Sequence, residues 1–284
     1  MRILGVGIAT VDIISTVEKY PNEDDEVRAI ARRTVRGGNV TNTLVVLSQL
    51  GHQCDWAGTL ASDHFSHIIK DDLSLYGIGL DKVQTLPGDT PLSCIQSCVE
   101  SGSRTIVHFR DLPEYSACEF KTIDLSQYDW IHFEGRNVGQ LSLMLQHIQQ
   151  QGVDVTISLE IEKPRDGIES LIGIPDIVFF SKAFAMLQKA ETATDFLQRF
   201  VKVAPSTAAT CTWGSEGAAV LAAGQVSACL ANSIDVVDSI AAGDTFNAGY
   251  IDAYAQTFSA TSALNAAVLL AEKKCGIQGI RLSI

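Results

Sequence analysis

The chain has 284 residues, of which 46% are hydrophobic and 19% are charged, and its formal net charge is −12 at pH 7. This length allows one large α/β domain or two small ones, and the composition is typical of a soluble globular enzyme and too apolar for a disordered chain. The acidic balance argues against a nucleic-acid surface, because no local cluster of Lys and Arg offsets it.

The N-terminal segment does not look like a targeting signal, because the apolar run that begins at Ile3 meets Asp12 too soon. No run of ~18 apolar residues is present, so we expect no membrane contact. Seven scattered cysteines, an odd number, do not resemble a disulfide framework, and we expect a reducing cytoplasm. Cys94 and Cys98 are expected to be thiols of the core.

The first predicted elements are strands. The continuous apolar run from Ile3 to Ala9 is typical of a strand buried on both faces of a parallel sheet, and the alternation from Val11 to Val17 indicates a half-exposed strand. Strand-like and helical patterns then alternate to the end of the chain without a repeat or linker. We therefore predict a single domain, residues 1–284, with a doubly wound α/β sheet flanked by helices.

A helix is predicted from Val40 to Leu50, directly after Arg36-Gly-Gly-Asn39. Its two glycines let the backbone approach a ligand closely, Asn39 is the expected N-cap, and Asn42 would project near the same helix end. A simple capped helix explains Asn39 and the glycines but does not require Asn42. Amides and carboxylates suit a polyol, because together they supply hydrogen-bond donors and acceptors.

Two alternating stretches, Pro91 to Val99 and Thr105 to Phe109, surround Glu100-Ser-Gly-Ser103 and predict a hairpin inserted as part of a lid. Arg104 lies at the base of this hairpin. It could be a plain exposed strand residue, or it could meet nucleotide phosphates across a closing lid.

Charge collects in Glu160-Ile-Glu-Lys-Pro-Arg165, at the end of a predicted strand, where α/β sheets place ligands. Glu160 and Glu162 would face the same side of the strand and could share a hydrated Mg²⁺. The alternative is a surface ion-pair cluster with the neighbouring basic residues, which accounts for Glu162 in particular.

The stretch from Asp235 to Tyr250 reads as a strand end, a tight turn at Ala241-Ala-Gly243, and a helix that begins around Asp244. The free amides and dipole of a first helical turn attract an anion. Asp244 could be only a helix cap. A carboxylate in the same turn would repel a phosphate unless it accepts a proton beside it, so the combination indicates phosphoryl transfer.

Two of these motifs, G-G-N-x-x-N at residues 37–42 and A-A-G-D-T-F-N-A-G at residues 241–249, resemble the signatures of the ribokinase-like sugar kinases, also called the phosphofructokinase B family. The resemblance implies a ribokinase-like fold with a β lid. It further implies that Asp244 deprotonates the sugar hydroxyl and that the amides of Ala241, Ala242 and Gly243 hold the migrating phosphoryl group. Ala241 stands where the family usually has Gly, and its methyl group is tolerated if φ is negative.

Further stretches along the chain resemble the ketohexokinase branch of this family, which phosphorylates the first carbon of fructose; among them are Val17-Glu-Lys-Tyr-Pro21, Trp130-Ile-His-Phe-Glu-Gly-Arg-Asn137 and Lys273-Lys-Cys-Gly-Ile-Gln-Gly279. The resemblance implies ATP, Mg²⁺ and a homodimer that clasps through lid segments at about 11–36 and 90–118. The implied sugar ligands are Asp12, Asp24, Gly38, Asn39 and Asn42. The implied ATP contacts are Arg104, Trp213, Gly214, Glu216, Gly217 and Cys275.

Departures from the family pattern leave open how Mg²⁺ is bound and whether a monovalent cation is needed. The N-x-x-E motif that many relatives carry is absent after Ser181-Lys182, and the segment from 280 to 284 does not continue the branch's pattern. Glu160 is therefore the candidate metal ligand, and dependence on a monovalent cation such as K⁺ is open. The alternative functions are a kinase for another sugar, sugar acid or nucleoside, and a catalytically silent sugar or nucleotide sensor.

Overall fold

The structure is a computed structural model that describes residues 1–282. The strands in this range are β1 (Arg2–Val6), β2 (Thr10–Val17), β3 (Ala31–Gly37), β4 (Gln53–Ala57), β5 (Thr59–Ala61), β6 (Gln84–Leu86), β7 (Leu92–Cys98), β8 (Arg104–Phe109), β9 (Trp130–Glu134), β10 (Thr156–Ile161), β11 (Ile177–Phe180), β12 (Ala208–Thr212), β13 (Ala218–Ala222) and β14 (Gln225–Cys229). The α-helices are α1 (Asn39–Gln49), α2 (Phe65–Leu75), α3 (Ala117–Phe120), α4 (Val138–Gln151), α5 (Lys182–Leu187), α6 (Ala193–Arg199), α7 (Ala242–Thr257) and α8 (Ala260–Cys275).

The main sheet has eight strands in the order β14-β13-β12-β11-β10-β9-β1-β4. The six strands from β12 to β4 in this spatial order are parallel to one another, and β13 and β14 form an antiparallel edge. One face packs on α3, α4, α5 and α6, and the other packs on α1, α2, α7 and α8. The predicted doubly wound sheet is confirmed, since helices that connect parallel strands cover both faces.

The second sheet, which we call the lid, has the strand order β3-β2-β7-β8. Its strands come from the two predicted lid segments, and the predicted hairpin is confirmed by antiparallel pairing of β7 with β8, with Cys94 opposite Val107. The main body covers only one face of the lid. For that reason Cys94, on the outer face, is exposed, and its assignment to the core is wrong. Cys98, at the end of the same strand, is buried, and its Sγ donates to the carbonyl oxygen of Glu18 at 3.5 Å.

All seven cysteines are free thiols. Among residues 1–282, no helix combines the length and the apolar character that crossing a membrane requires.

The start of α1 differs from the expected cap. Gly38, with φ of 109°, is the N-cap, and Asn39 is the first helical residue. A side chain at Gly38 would collide with the carbonyl oxygen of Ile8, so glycine is required on steric and conformational grounds. The side chain of Asn39 is therefore free to reach across to the end of β10.

Candidate active site

Helix α7 begins at Ala242, and Asp244 is the third residue of its first turn, with only 7% of its surface exposed. The N–H of Ala242 donates to the carbonyl oxygen of Ser239 at 3.3 Å. The N–H groups of Gly243 and Asp244 have no hydrogen-bond partner within residues 1–282. Those two amides, rather than that of Ala242, are available to an anion at the positive end of the helix dipole.

Ala241, the N-cap of α7, has φ of 62° and so lies in the left-handed region. We expected the methyl group of Ala241 to be tolerated through a negative φ, and this expectation is wrong. This conformation costs a residue with a Cβ about 1–2 kcal/mol. Ala241 and the three residues that follow it line the cavity at this helix end.

Replacing Ala241 with Gly should raise the free energy of unfolding by about 0.5–1 kcal/mol, because the relieved backbone strain exceeds the added entropy of the unfolded chain. Urea unfolding measures this change. Ala255→Gly in the regular part of α7 is the control and should lower the free energy of unfolding by about 1 kcal/mol. If the free energy of unfolding fell equally in both variants, Ala241 would not be strained.

The carboxylate of Asp244 accepts a hydrogen bond from Nδ2 of Asn42 at 2.7 Å. Burial raises the pKa of Asp244 to about 7, the amide of Asn42 opposes this shift, and the charges of Glu162 and Glu134 add to it. A carboxyl group with a pKa near neutrality is suited to accept a proton in a general-base step.

Beside Asp244 lies a cavity of about 190 Å³, which we call the acidic cavity; Asn39, Arg104, Glu160, Glu162, Asp244 and Asn247 are among the residues that line it. Nδ2 of Asn39 lies 3.2 Å from Oε1 of Glu160 and 3.3 Å from Oε2 of Glu162. Oε2 of Glu160 is buried without a hydrogen-bond partner in the described residues. Burial, followed by the charges of Asp244, Glu134 and Glu162, raises the pKa of Glu160 well above its usual value.

A second cavity, of about 260 Å³, lies between the lid and the main body, and we call it the lid cavity; its lining includes Asp12, Arg33, Arg36, Gly37, Asn42 and Ala241. Asp12 accepts a hydrogen bond from Thr10 at 3.0 Å and is partly exposed to the cavity. A side chain at Gly37 would collide with the carboxylate of Asp12. The lining therefore presents a carboxylate, an amide and an open stretch of backbone at one place.

A third cavity, of about 480 Å³, is the apolar cavity; its lining includes Gly214, Gly217, Ile234, Val236, Phe246, Val268 and Cys275. Gly217 has φ of 92°, and a side chain there would run into the carbonyl oxygen of Cys229. Glycine is therefore required at this position of the lining. A flat, mostly apolar ligand such as a nucleobase fits this lining.

The three cavities meet at the start of α7. Ala241 lines both the acidic cavity and the lid cavity, while Ala242 and Gly243 line both the acidic cavity and the apolar cavity. A ligand pair that fills the lid cavity and the apolar cavity would therefore bring its reacting atoms together beside Asp244.

The lid contacts the loop that precedes α7. Nη1 of Arg104 lies 3.3 Å from Oγ of Ser239, and Nη2 of Arg33 lies 2.9 Å from Oδ2 of Asp238. From the main body, the fully buried Lys274 donates to the carbonyl oxygen of Asp238 at 2.7 Å. Arg104 is exposed and lines the acidic cavity, where an anion could contact it.

Four of the expected ligands are not brought to these cavities, and the first is Gly38, which caps α1 and lines none of the three. Asp24 lies in the exposed connection between β2 and β3, with φ of 66°. The ring of Trp213 is buried in the core cluster to which residues of α5 and α6 also belong. Glu216 points to solvent and pairs with Lys182 at 3.6 Å. Gly214, Gly217 and Cys275 do line the apolar cavity, so only part of the predicted nucleotide set is assembled.

Sequence reasoning missed Asn247 and Glu134. Asn247 follows Asp244 by three residues, which places both on one face of α7 and could have identified it. Glu134 ends β9; its Oε2 accepts from the N–H of Ile8 at 3.1 Å, and its Oε1 accepts from Arg136 at 2.5 Å. Its position at the carboxyl end of a predicted parallel strand, where α/β sheets place ligands, could have identified Glu134 as a site residue.

Comparisons with known proteins identify the family and the fold. The chain is 38% identical to mouse ketohexokinase over 98% of its own length and 97% of that protein. It superimposes on ribokinase from Giardia lamblia with a TM-score of 0.83 at 15% identity, over 98% of this chain and 95% of that one. It also superimposes on Arabidopsis thaliana ribokinase complexed with ribose and ATP with a TM-score of 0.77 at 20% identity, over 98% of this chain and 93% of that one. The fold is thus ribokinase-like, as expected. Because residues 2–283 match the model of the pfkB family carbohydrate kinases, the chain belongs to that family.

Proposed function

We propose that this carbohydrate kinase transfers the γ-phosphoryl group of ATP to the primary hydroxyl of a ketohexose, converting fructose to fructose 1-phosphate. The observation that carries the proposal is the position of Asp244, a buried carboxyl group with a pKa of about 7, where three cavities meet. It lies beside two helix amides that have no hydrogen-bond partner within residues 1–282. The similarity to mouse ketohexokinase supports the choice of sugar.

In the proposed reaction, the carboxylate of Asp244 takes the proton of the sugar hydroxyl as that oxygen forms a bond to the γ-phosphorus. The bond between the γ-phosphorus and the β,γ-bridging oxygen breaks, and ADP leaves with its electron pair. The N–H groups of Gly243 and Asp244 stabilise the negative charge on the transferred group. Closure of the lid excludes water, which would otherwise compete with the sugar as acceptor.

The sugar is proposed to occupy the lid cavity. Asp12 and Asn42 line it and supply an acceptor and an amide, while Gly38 and Asn39 lie at the start of the same helix as Asn42. Such fixed donors and acceptors distinguish hydroxyl positions on a ring. Asp24 stays a prediction, since it is exposed in the connection between β2 and β3 and lines none of the three cavities.

ATP is proposed to lie with its base in the apolar cavity, near Gly214, Gly217 and Cys275, and with its phosphates towards the acidic cavity and Arg104. The unpartnered, buried Oε2 of Glu160 fits a cation, although residues 1–282 contain no closed cluster of three or more ligands. Mg²⁺ usually binds through one or two carboxylates plus substrate phosphates, and it would neutralise charge on them. Glu160, with Glu162, would hold it.

The test is ATP consumption with Mg²⁺ against fructose, tagatose, ribose, ketodeoxygluconate, fructose 6-phosphate and adenosine. Turnover of fructose that is lost in Asp244→Asn supports the proposal. Turnover of another compound would keep the mechanism and change the substrate. A kinase for another sugar derivative is the second candidate function, and it is supported by the similarity of the chain to fructosamine kinase of Bacillus subtilis, at 23% identity. Silence with all six, with nucleotide still bound, would favour a sensor.

A homodimer through the outer face of the lid is also proposed. Val107 and Phe109 are 69% and 53% exposed there, next to Cys94, and an isolated sheet with one apolar face open to water is unfavourable. Val107→Asp should convert the dimer to a monomer, as measured by sedimentation, while Leu187→Asp, at a position of similar exposure on α5 and outside the lid, should not. A wild-type protein that sediments as a monomer would contradict the dimer.

We also propose that the protein works in the cytoplasm. The seven free thiols support this location, because they are kept reduced there.

A further inference from the structure

A buried chain of hydrogen bonds runs from the surface helix α2 to Asp244. Arg36, at the end of β3, has a side chain that is only 1% exposed, and its Nε donates to Oδ2 of Asp72 at 2.6 Å. Nη1 of the same guanidinium donates to Oδ1 of Asn42 at 2.7 Å, and Nδ2 of Asn42 then donates to Asp244 at 2.7 Å. Two hydrogen bonds in sequence therefore link Arg36 to Asp244.

The chemistry of these groups fixes the direction of every bond. A guanidinium has donors and no acceptor, so the atom of Asn42 that faces Arg36 must be its oxygen. The amide nitrogen is thereby turned towards Asp244, where it can only donate. Without Arg36, the amide could rotate and place its oxygen against the carboxylate, which would repel it.

We propose that Arg36 is a positioning residue that acts through Asn42, holding the amide with its NH₂ group on the carboxylate of Asp244. The proposal rests on the proposed function in that Asp244 is taken as the general base. Asp72 and the hydroxyl of Thr41, which lies 2.9 Å from Nη1, keep the guanidinium in place.

The charges around Asp244 explain why such a device is useful. Burial disfavours the ionised form of Asp244, and the charges of Glu162, at the end of β10, and of Glu134, on β9, add to this effect. Glu160, at the end of β10, lines the same cavity. Arg36 and the amide of Asn42 are the groups that oppose these effects. A carboxylate that must accept a proton needs a donor held in one orientation, because a flipped amide would add to the repulsion.

Arg36→Met is the main test, and we expect kcat to fall about 10- to 100-fold at pH 7, with the KM for ATP unchanged, since a small misplacement at a reacting group has effects of this size. If Arg36 acts through Asn42, the same substitution in an Asn42→Ala background should change kcat by less than about twofold. The kcat of Arg36→Lys, which retains the charge, should lie between those of the wild type and of Arg36→Met. Arg2→Met, which removes a guanidinium bonded to Asp55 at 3.0 Å far from the site, is the matched control and should leave kcat unchanged.

A readout without turnover separates this proposal from the proposed function. In protein labelled with ¹³C at aspartate carboxyl groups, the resonance missing from Asp244→Asn identifies Asp244, and its titration midpoint should rise by about one pH unit in Arg36→Met. If the wild type phosphorylates no sugar, the proposed function fails while the titration still tests the role of Arg36. An unchanged midpoint, or equal losses of kcat with and without Asn42, would overturn the proposal and leave Arg36 as a residue that only stabilises the fold.

Discussion

Asp244→Asn should lower kcat on the order of 10²- to 10⁴-fold, because an amide cannot accept the proton of the attacking hydroxyl. The KM for ATP should change little, since the amides of Gly243 and Asp244 are backbone groups and persist in the variant. The oxygen of the new amide can still accept from Asn42 in place of the bond of 2.7 Å, so the local packing is kept. Steady-state kinetics on the preferred sugar measure the change.

Folding of Asp244→Asn is checked by thermal unfolding at pH 8. Burial raises the pKa of Asp244 to about 7, so its charged form opposes folding at higher pH, and the neutral amide should leave Tm unchanged or raise it. Asp252→Asn, two turns further along α7 and bonded to His52 at 2.9 Å, is the matched control and should retain normal turnover. Normal turnover by Asp244→Asn itself would show that another group takes the proton.

Local patterns were enough to predict the centre of the candidate site. Asn42 and Asp244 each follow a small-residue turn at the start of a helix, and such turns have few alternative structures, so both helix ends could be placed from the chain alone. The lid strands were predictable for a similar reason, since their alternation and the short turn at Ser101 specify a hairpin.

The remaining features depend on how distant elements pack. Asn42 and Asp244 are 202 residues apart, and only the contact of α1 with α7 brings them together. Trp213 faces the core because the strand before it presents that side to α5 and α6, which no local pattern reveals. The left-handed φ of Ala241 is likewise imposed by the turn, against the preference of the residue.

The pH dependence of turnover should report the environment of Asp244. Its carboxylate must be ionised to act as a base, and its pKa is about 7, so kcat/KM should fall as pH decreases through that value, by about tenfold per unit below it. Glu162→Gln removes a negative charge that raises this pKa, while the new side chain can still accept from Asn39. The acid limb of the profile should therefore move to lower pH in this variant.

The comparison between wild type and Glu162→Gln is the informative measurement, because the titration of ATP is common to both and cancels. Profiles from pH 5 to 9 are recorded at two concentrations of Mg²⁺, so that a weakened metal site, which excess metal would restore, is distinguished from a changed base. Glu169→Gln, the same charge change at an exposed position, should leave the profile in place. An acid limb that stays fixed in Glu162→Gln would mean that the group titrating near pH 7 is not Asp244, and the role of the first turn of α7 would then be limited to holding the phosphoryl group.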